Sequence, residues 1–374
     1  MTSDSPKAAA GGGGPGRGVS VRRGRRLWRA LILSAVTIVV LVAVFVGVFP
    51  RFANYSQAWS SIQRMPTVYL VALVAAAVVN IAVAAWPLQA ALPGLRYGPA
   101  FVVGQTSFAF SNAVPAGGVI GLGVEYDMLG SYRFGTGAAA SATAISTVFN
   151  VFATLVMPVV GVLALLISGE VRWHFLLIAV VGVCGVGIAV AAFAAILHSE
   201  GGARRVGRTA DRLVNAPAQR LLHGRTVNLT GKVLDFRAAV VEVMKTRWPA
   251  VVGSTLIPQL TSWSILFLTQ RGLEKGDHVS FGVTWPESLA AYSFAVIVSF
   301  IPVTTGGLGT VDAGLTGLLT AFGATGSQAL AADLVWRAGT FVPQVLTGAL
   351  MFLWWRVTAG HKKRMAAQRA GDNG

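Results

Sequence analysis

The sequence predicts an all-α polytopic membrane protein, with about six transmembrane helices and two glycine-rich re-entrant helical hairpins arranged as an inverted repeat. Composition is the first observation behind this: of 374 residues, 54% are hydrophobic and 12% charged, a balance foreign to water-soluble domains of this length. The second is a set of unbroken apolar runs. A hydrocarbon core takes roughly 20 apolar residues per helix, and Trp28 to Pro50, Thr67 to Leu92, Gly137 to Ser168, His174 to His198, Trp248 to Gln270 and Gln328 to Trp355 each supply such a run. These runs lack the short apolar–polar alternation of barrel strands. The third is a pair of Gly-Gly motifs, each followed by a single acid.

Residues 1–27 open the chain with glycines and then Arg17, Arg22, Arg23, Arg25 and Arg26, followed by Arg29. With so little apolar content they read as a disordered, basic cytoplasmic tail. The run to Pro50 is long for the apolar part of an export signal and no A-x-A site follows, so an uncleaved anchor is expected. Residues 28–198 make the first membrane half. Residues 199–247 form a basic cytoplasmic linker with Arg204, Arg205, Arg208, Arg212, Arg220 and Arg225. Within it Val233, Phe236, Val240 and Val243 recur at helical spacing among Lys232, Arg237 and Lys245, the pattern of an interfacial helix on anionic lipid headgroups. Residues 248–357 make the second half, and 358–374, with Lys362, Lys363, Arg364 and Arg369, a second basic cytoplasmic tail.

The net charge of +16 is accounted for by these flanking segments, so no nucleic-acid partner is expected. The expected location is the bacterial inner membrane, multi-pass, with both termini cytoplasmic. Cys184 stands alone inside an apolar run, which excludes a disulfide framework and a cysteine metal site. No metal and no cofactor is expected.

Keeping all three basic segments on one side fixes the rest by parity. Arg96 and Arg133 must share a side, so the stretch near 99–134 enters the membrane and returns, and the stretch near 288–323 does the same from the opposite face. The two stretches echo each other. Pro115 to Gly118 (PAGG) precedes Gly121, Gly123 and Glu125; Thr304 to Gly307 (TTGG) precedes Gly309 and Asp312. Each is followed by a glycine (Gly135, Gly323), a small-residue helix with one polar group (Asn150, Arg337) and a proline (Pro158, Pro343). Inverted repeats with broken helices near the midplane are how many transporters build a site that can face either side. Irregular backbone survives at that depth where it lines a cavity, so Gly117, Gly118, Gly306, Gly307 and Gly309 are expected to line one, with close helix packing as the competing role.

Ionisable residues in apolar surroundings are Glu125, Asp127, Asp312, Asp333 and Arg337. Each costs at least about 2.5 kcal/mol at bilayer depth and so marks a wet cavity, a partner or a substrate path. Arg337 is expected near mid-membrane, where a guanidinium can hold a phosphate bidentately. Asp333, one turn earlier, fits either that site or a structural i,i+4 pair with Arg337. Glu125 and Asp312 hold equivalent places and suit a proton, a cationic headgroup or an interfacial position; Asp127 reads as interfacial. Asn112, just before the PAGG motif with its Pro115, joins the candidate site, whereas Gln105, Asn150 and Gln259 fit helix-bridging amides.

At these hairpins the chain resembles the lysylphosphatidylglycerol synthase transmembrane-region family of flippase-like integral membrane proteins, over roughly Val68 to Trp355. The resemblance rests on Asn112, Pro115, Gly117, Gly118 and Glu125, and on IPVTTGGLGTVDAG from Ile301 to Gly314 with Ala331, Asp333 and Arg337. The family more often has proline at the place of Thr305, glutamate at that of Asp312 and arginine near Asn150. It implies the flippase part without the soluble synthase domain, since the chain stops soon after its last span. The expected activity is movement of an anionic phospholipid or lipid-linked polyprenyl phosphate across the inner membrane. An enzyme would have only Glu125, Asp127 and Asp312 as acids or bases, with no nucleophile motif, metal cluster or phosphate loop, and none is expected. A scaffold recruiting a cytoplasmic lipid-modifying or glycosyltransferase partner is the alternative, and it leaves the hairpin charges unexplained.

Overall fold

The computed structural model describes residues 55–113, 117–169, 199–205, 229–300 and 307–371, with isolated positions between 187 and 211. Every regular element among the described residues is helical. In chain order these are α1 (Tyr55–Gln63), α2 (Thr67–Val83), α3 (Trp86–Ala91), α4 (Tyr97–Ala113), α5 (Gly117–Ser131), α6 (Thr136–Ser168), α7 (Leu229–Thr246), α8 (Trp248–Asp277), α9 (Trp285–Ile297), α10 (Thr310–Phe322) and α11 (Gly326–Gly371).

Among the described residues, four stretches are long and apolar enough to cross a membrane: Thr67–Ala91, Thr136–Ser168, Trp248–Asp277 and Gly326–Thr358. They coincide with four of the expected spans. The remaining two, Trp28 to Pro50 and His174 to His198, fall outside the described residues apart from Gly187 and Ala191. The outer faces are apolar. Val68, Val71, Val74 and Val78 on α2, and Val342, Leu346, Leu350, Leu353 and Val357 on α11, are exposed at helical spacing. Continuous stripes of this kind mark a surface that meets lipid rather than water.

Between the long helices sit two pairs of shorter ones. Along the first pair, Gly117 lies against Phe110 and Ser111, Gly121 against Ser107 and Ser111, and Glu125 reaches Ser107, so α4 and α5 are antiparallel. The second pair is α9 and α10, 13 residues each or about 20 Å, short of a hydrocarbon core of about 30 Å. Its two ends meet: a side chain at Gly282 (φ 73°) would lie 2.7 Å from the Gly323 carbonyl, and both glycines hold positive φ. The two pairs are rooted at opposite ends of the bundle. Trp355 Nε1 donates to Ser131 Oγ (2.9 Å) at one end, beside Arg133; the Gly282–Gly323 contact lies just past the end of α8, beside Asp277.

Each short pair is embraced by the other half of the chain. α4 packs on α11, and α9 packs on α6. Small residues allow both approaches. A Cβ on Gly348 would collide with the Gln105 carbonyl oxygen, and one on Gly161 would lie 2.9 Å from the Ala290 Cα. Two apolar cores result. One gathers α9 and α10 with Met157, Ala164, Ile265, Leu266 and Ala329 to Ala332; the other gathers α3 and α4 with Met128, Leu129, Ala139, Ile145 and Val251. α7 adds Val240, wholly buried, to the second core, which accounts for one of the four apolar positions expected of an interfacial helix.

Candidate functional site

The layer between the two cores is polar. α6 brings Asn150 and Thr154 to it, α8 brings Gln259, Thr261 and Ser262, and α11 brings Arg337, Thr340 and Gln344, each from the middle of a long helix. A cavity of about 430 Å³ opens here, bordered by residues of both halves, including Asn80, Glu125, Asn150, Tyr292 and Arg337.

Broken helices shape the layer. Pro158, Pro258 and Pro343 lie inside α6, α8 and α11, each removing a backbone donor. A further break between α2 and α3 frees two carbonyls, and both are satisfied: Gln105 Nε2 donates to Ile81 O (3.0 Å) and the Tyr97 hydroxyl to Ala82 O (2.9 Å). Such repayment is obligatory where no bulk water is available. Amides then knit the halves together. Gln344 Nε2 donates to Asn80 Oδ1 (2.9 Å), Asn80 Nδ2 to Thr261 Oγ1 (2.8 Å), the Tyr292 hydroxyl to Gln259 Oε1 (2.7 Å) and Gln259 Nε2 to Thr154 Oγ1 (3.0 Å).

Two charged groups adjoin the cavity from different halves. Glu125, 8% exposed, accepts Ser107 Oγ–H at 2.7 Å and Thr143 Oγ1–H at 2.6 Å. Both bonds come from neutral hydroxyls, and no basic side chain pairs with it among the described residues. Arg337 is held differently. Its Nε–H donates to Asp312 Oδ1 and its Nη2 to Gly307 O (3.4 Å), while the guanidinium lies over the rings of Trp336 (4.9 Å) and Phe341 (5.8 Å). Asp312 is wholly buried at the start of α10, where its Oδ2 also accepts the Gly309 N–H at 2.6 Å. Gly307 (φ 67°) and Gly309 (φ 89°) supply the positive-φ backbone that turns the Gly307 carbonyl to the guanidinium and the Gly309 N–H to the acid.

Of the two readings left open for Asp333, the i,i+4 pair with Arg337 is not formed; Arg337 pairs with Asp312 instead. Local spacing favours the i,i+4 pair, but α10 delivers a carboxylate from outside the helix with better geometry. Asp333 is buried behind the cavity wall, and neither of its oxygens has a hydrogen-bond partner. Asn112 is not drawn into the cavity; its Nδ2 donates to Phe108 O (2.9 Å) in its own helix. Gly117 is a packing position against Phe110 and Ser111. Gly118 is exposed, with open space for 4 Å around the place a Cβ would take, so neither glycine lines the cavity. Pro115 and Gly306 lie outside the described residues. Gln259 bridges helices as expected, to Thr154 and Tyr292, and also borders the cavity; so do Asn150, and Asn80, Tyr292 and Gln344, which the sequence does not single out. Three or more His, Cys, Asp or Glu side chains placed to hold a metal do not occur among the described residues.

The family described as the lysylphosphatidylglycerol synthase TM region matches residues 25–348, which takes in both short helix pairs and the whole polar layer. The chain belongs to the lysylphosphatidylglycerol synthase transmembrane-region family. No curated protein matches it. Membership makes it a multi-pass membrane protein of the flippase-like class. In this family member the matched region ends at Gly348, the glycine that seats α11 on α4.

Proposed function

We propose that the protein carries an anionic lipid headgroup, of a phospholipid or a lipid-linked polyprenyl phosphate, across the bacterial inner membrane by exposing one cavity alternately to each side. The observation that carries this reading is Arg337, a guanidinium at mid-helix on the wall of a polar cavity, in a chain with apolar outer faces. A phosphate entering the cavity meets a cation already oriented and partly desolvated, which is where charge-assisted bonds are strongest. The headgroup occupies the polar layer while acyl or prenyl chains stay in lipid.

The short pairs α4–α5 and α9–α10 act as re-entrant hairpins of an inverted repeat, and rocking of one half against the other changes the side to which the cavity opens. The end carrying Arg96, Arg133, Arg247 and Arg356 is cytoplasmic, and both termini lie on that side. Basic segments there attract anionic headgroups. The protein moves its substrate without catalysing a covalent change. The scaffold alternative offers no reason to keep an arginine in a cavity of this kind.

Reconstitution in liposomes with a fluorescent anionic phospholipid or polyprenyl phosphate tests the reading. A membrane-impermeant reductant is expected to bleach the whole population with the wild type and only the outer leaflet with Arg337→Ala. Failure of the wild type to move any probe of a broad headgroup panel overturns it in favour of the scaffold.

A further inference from the structure

Asp333 is the acid that the site leaves over. It is 1% exposed, and both of its oxygens lack hydrogen-bond partners. Asp312 and Arg337 are the charged groups that act on it. Asp312 is already committed, to the Arg337 guanidinium through one oxygen and the Gly309 N–H through the other. Among the described residues, the other packed helices bring no spare cation to this depth; Lys275 of α8 is exposed in its last turn. α1, α2 and α4 hold only Tyr55, Tyr69 and Tyr97 as titratable groups, and α8 has none between Trp248 and Gln270. Arg271 of α8 is bound to Glu274 at 2.6 Å; on α9, Glu287 is bound to Thr284 in its own helix cap and Tyr292 donates to Gln259.

Two carboxyls thus share one guanidinium in a dry place. With both ionised the cluster carries an uncompensated buried charge, which proteins avoid by holding a proton. Arg337 follows Asp333 by one helical turn, within side-chain reach, so either acid can be its partner.

We propose that Asp333 and Asp312 form a proton-binding pair in which Arg337 alternates between them. With Arg337 on Asp312, as observed, Asp333 carries the proton. When the guanidinium turns to Asp333, the Asp333 O–H bond breaks and an O–H bond forms on Asp312, the proton passing from one carboxyl to the other. Net charge is zero in both arrangements, and each exchange moves one proton between the two acids. The coupling of this exchange to lipid movement rests on the transport reading above; the proton site itself does not.

Two measurements separate the claims. Infrared difference spectroscopy of the full chain in lipid nanodiscs at neutral pH is expected to show a carboxylic-acid C=O band. The Asp333 component of that band is lost in Asp333→Asn, and also in Asp312→Asn, where Arg337 is left free to ionise Asp333; it persists in Glu287→Gln and in Glu125→Gln, the variant of another buried acid without a cation. A wild type without the band, or a band that Asp333→Asn leaves unchanged, overturns the proposal. In liposomes, an imposed pH gradient is expected to change the wild-type rate several-fold and to leave Asp333→Asn unresponsive. A mutant that keeps the full response overturns the coupling. If the wild type moves no lipid while the band behaves as stated, the transport reading falls and the proton site stands.

Discussion

Arg337 on α11 donates to Asp312 on α10, and this contact across 25 residues ties the second hairpin to the long helix that follows it. Asp312 is wholly buried and the Arg337 side chain is 14% exposed, so little water competes for the bond. Removing Arg337 strands the buried Asp312 carboxylate, at a typical cost of about 3–5 kcal/mol, whereas removing Asp312 leaves Arg337 within reach of Asp333. Arg337→Ala is therefore expected to lower the unfolding midpoint sharply, and Asp312→Ala less. The Asp312→Ala, Arg337→Ala double mutant is expected to fall well short of the summed single losses, with a coupling of at least about 1 kcal/mol. Titrating unfolding in mild detergent measures all four corners of that cycle, and strict additivity counts against a stabilising pair.

A glycine contact gives a second expectation with an internal control. A Cβ at Gly348 runs into the Gln105 carbonyl oxygen, backbone that cannot turn aside, whereas one at Gly118 meets nothing within 4 Å. Gly348→Ala forces α11 away from α4 and is expected to destabilise by about 1–3 kcal/mol, the usual range for overpacking. Gly118→Ala in an exposed helical position is expected to be neutral, or stabilising by up to about 1 kcal/mol. Parallel thermal melts of the two variants decide it, and equal melting temperatures would mean that α4 and α11 do not approach so closely.

Much of the scaffold is legible because a bilayer imposes long apolar runs whose ends are set by charges. The run Thr67 to Leu92 corresponds to the helical stretch Thr67–Ala91, and Gly137 to Ser168 to α6 at Thr136–Ser168. The site is less legible because its partners are chosen by tertiary contact. Spacing proposes Asp333 for Arg337, while the bond goes to Asp312, brought in by a hairpin whose docking no local pattern encodes. Asn80 is one polar residue in an apolar run, and only its contact with Thr261 and Gln344 reveals its place. The interior prolines beside these amides are the available signal, since each leaves a carbonyl that some side chain must satisfy.

Orientation offers a third test. Thr136 opens α6 at the end where Trp355 meets Ser131, and Val279 follows α8 at the other end, where Arg64 approaches Asp277 at 3.5 Å; both positions are exposed. In a Cys184→Ala background, Thr136→Cys is expected to react with a membrane-impermeant thiol reagent from the cytoplasmic side and Val279→Cys from the outside. Intact cells and inverted vesicles supply the two accessibilities. Labelling of both from one side would break the opposed placement of the hairpins.

The last prediction uses the repeat itself. Asn150 follows Glu125 by the same 25 residues that separate Asp312 from Arg337, and both Asn150 and Arg337 border the cavity. Glu125 is the acid in this arrangement that has hydroxyl donors in place of a guanidinium. Asn150 is exposed to the cavity of about 430 Å³, which leaves space for a longer side chain without disturbing the core. Asn150→Arg is therefore expected to pair with Glu125 and to raise the melting temperature, an advantage that vanishes when Glu125→Gln is added. A charge-assisted bond of this kind contributes about 1.5–3 kcal/mol when partly desolvated. An Asn150→Arg variant whose stability is indifferent to Glu125→Gln would show that the two halves do not share the acid-to-cation geometry, and that the repeat ends at the level of helices.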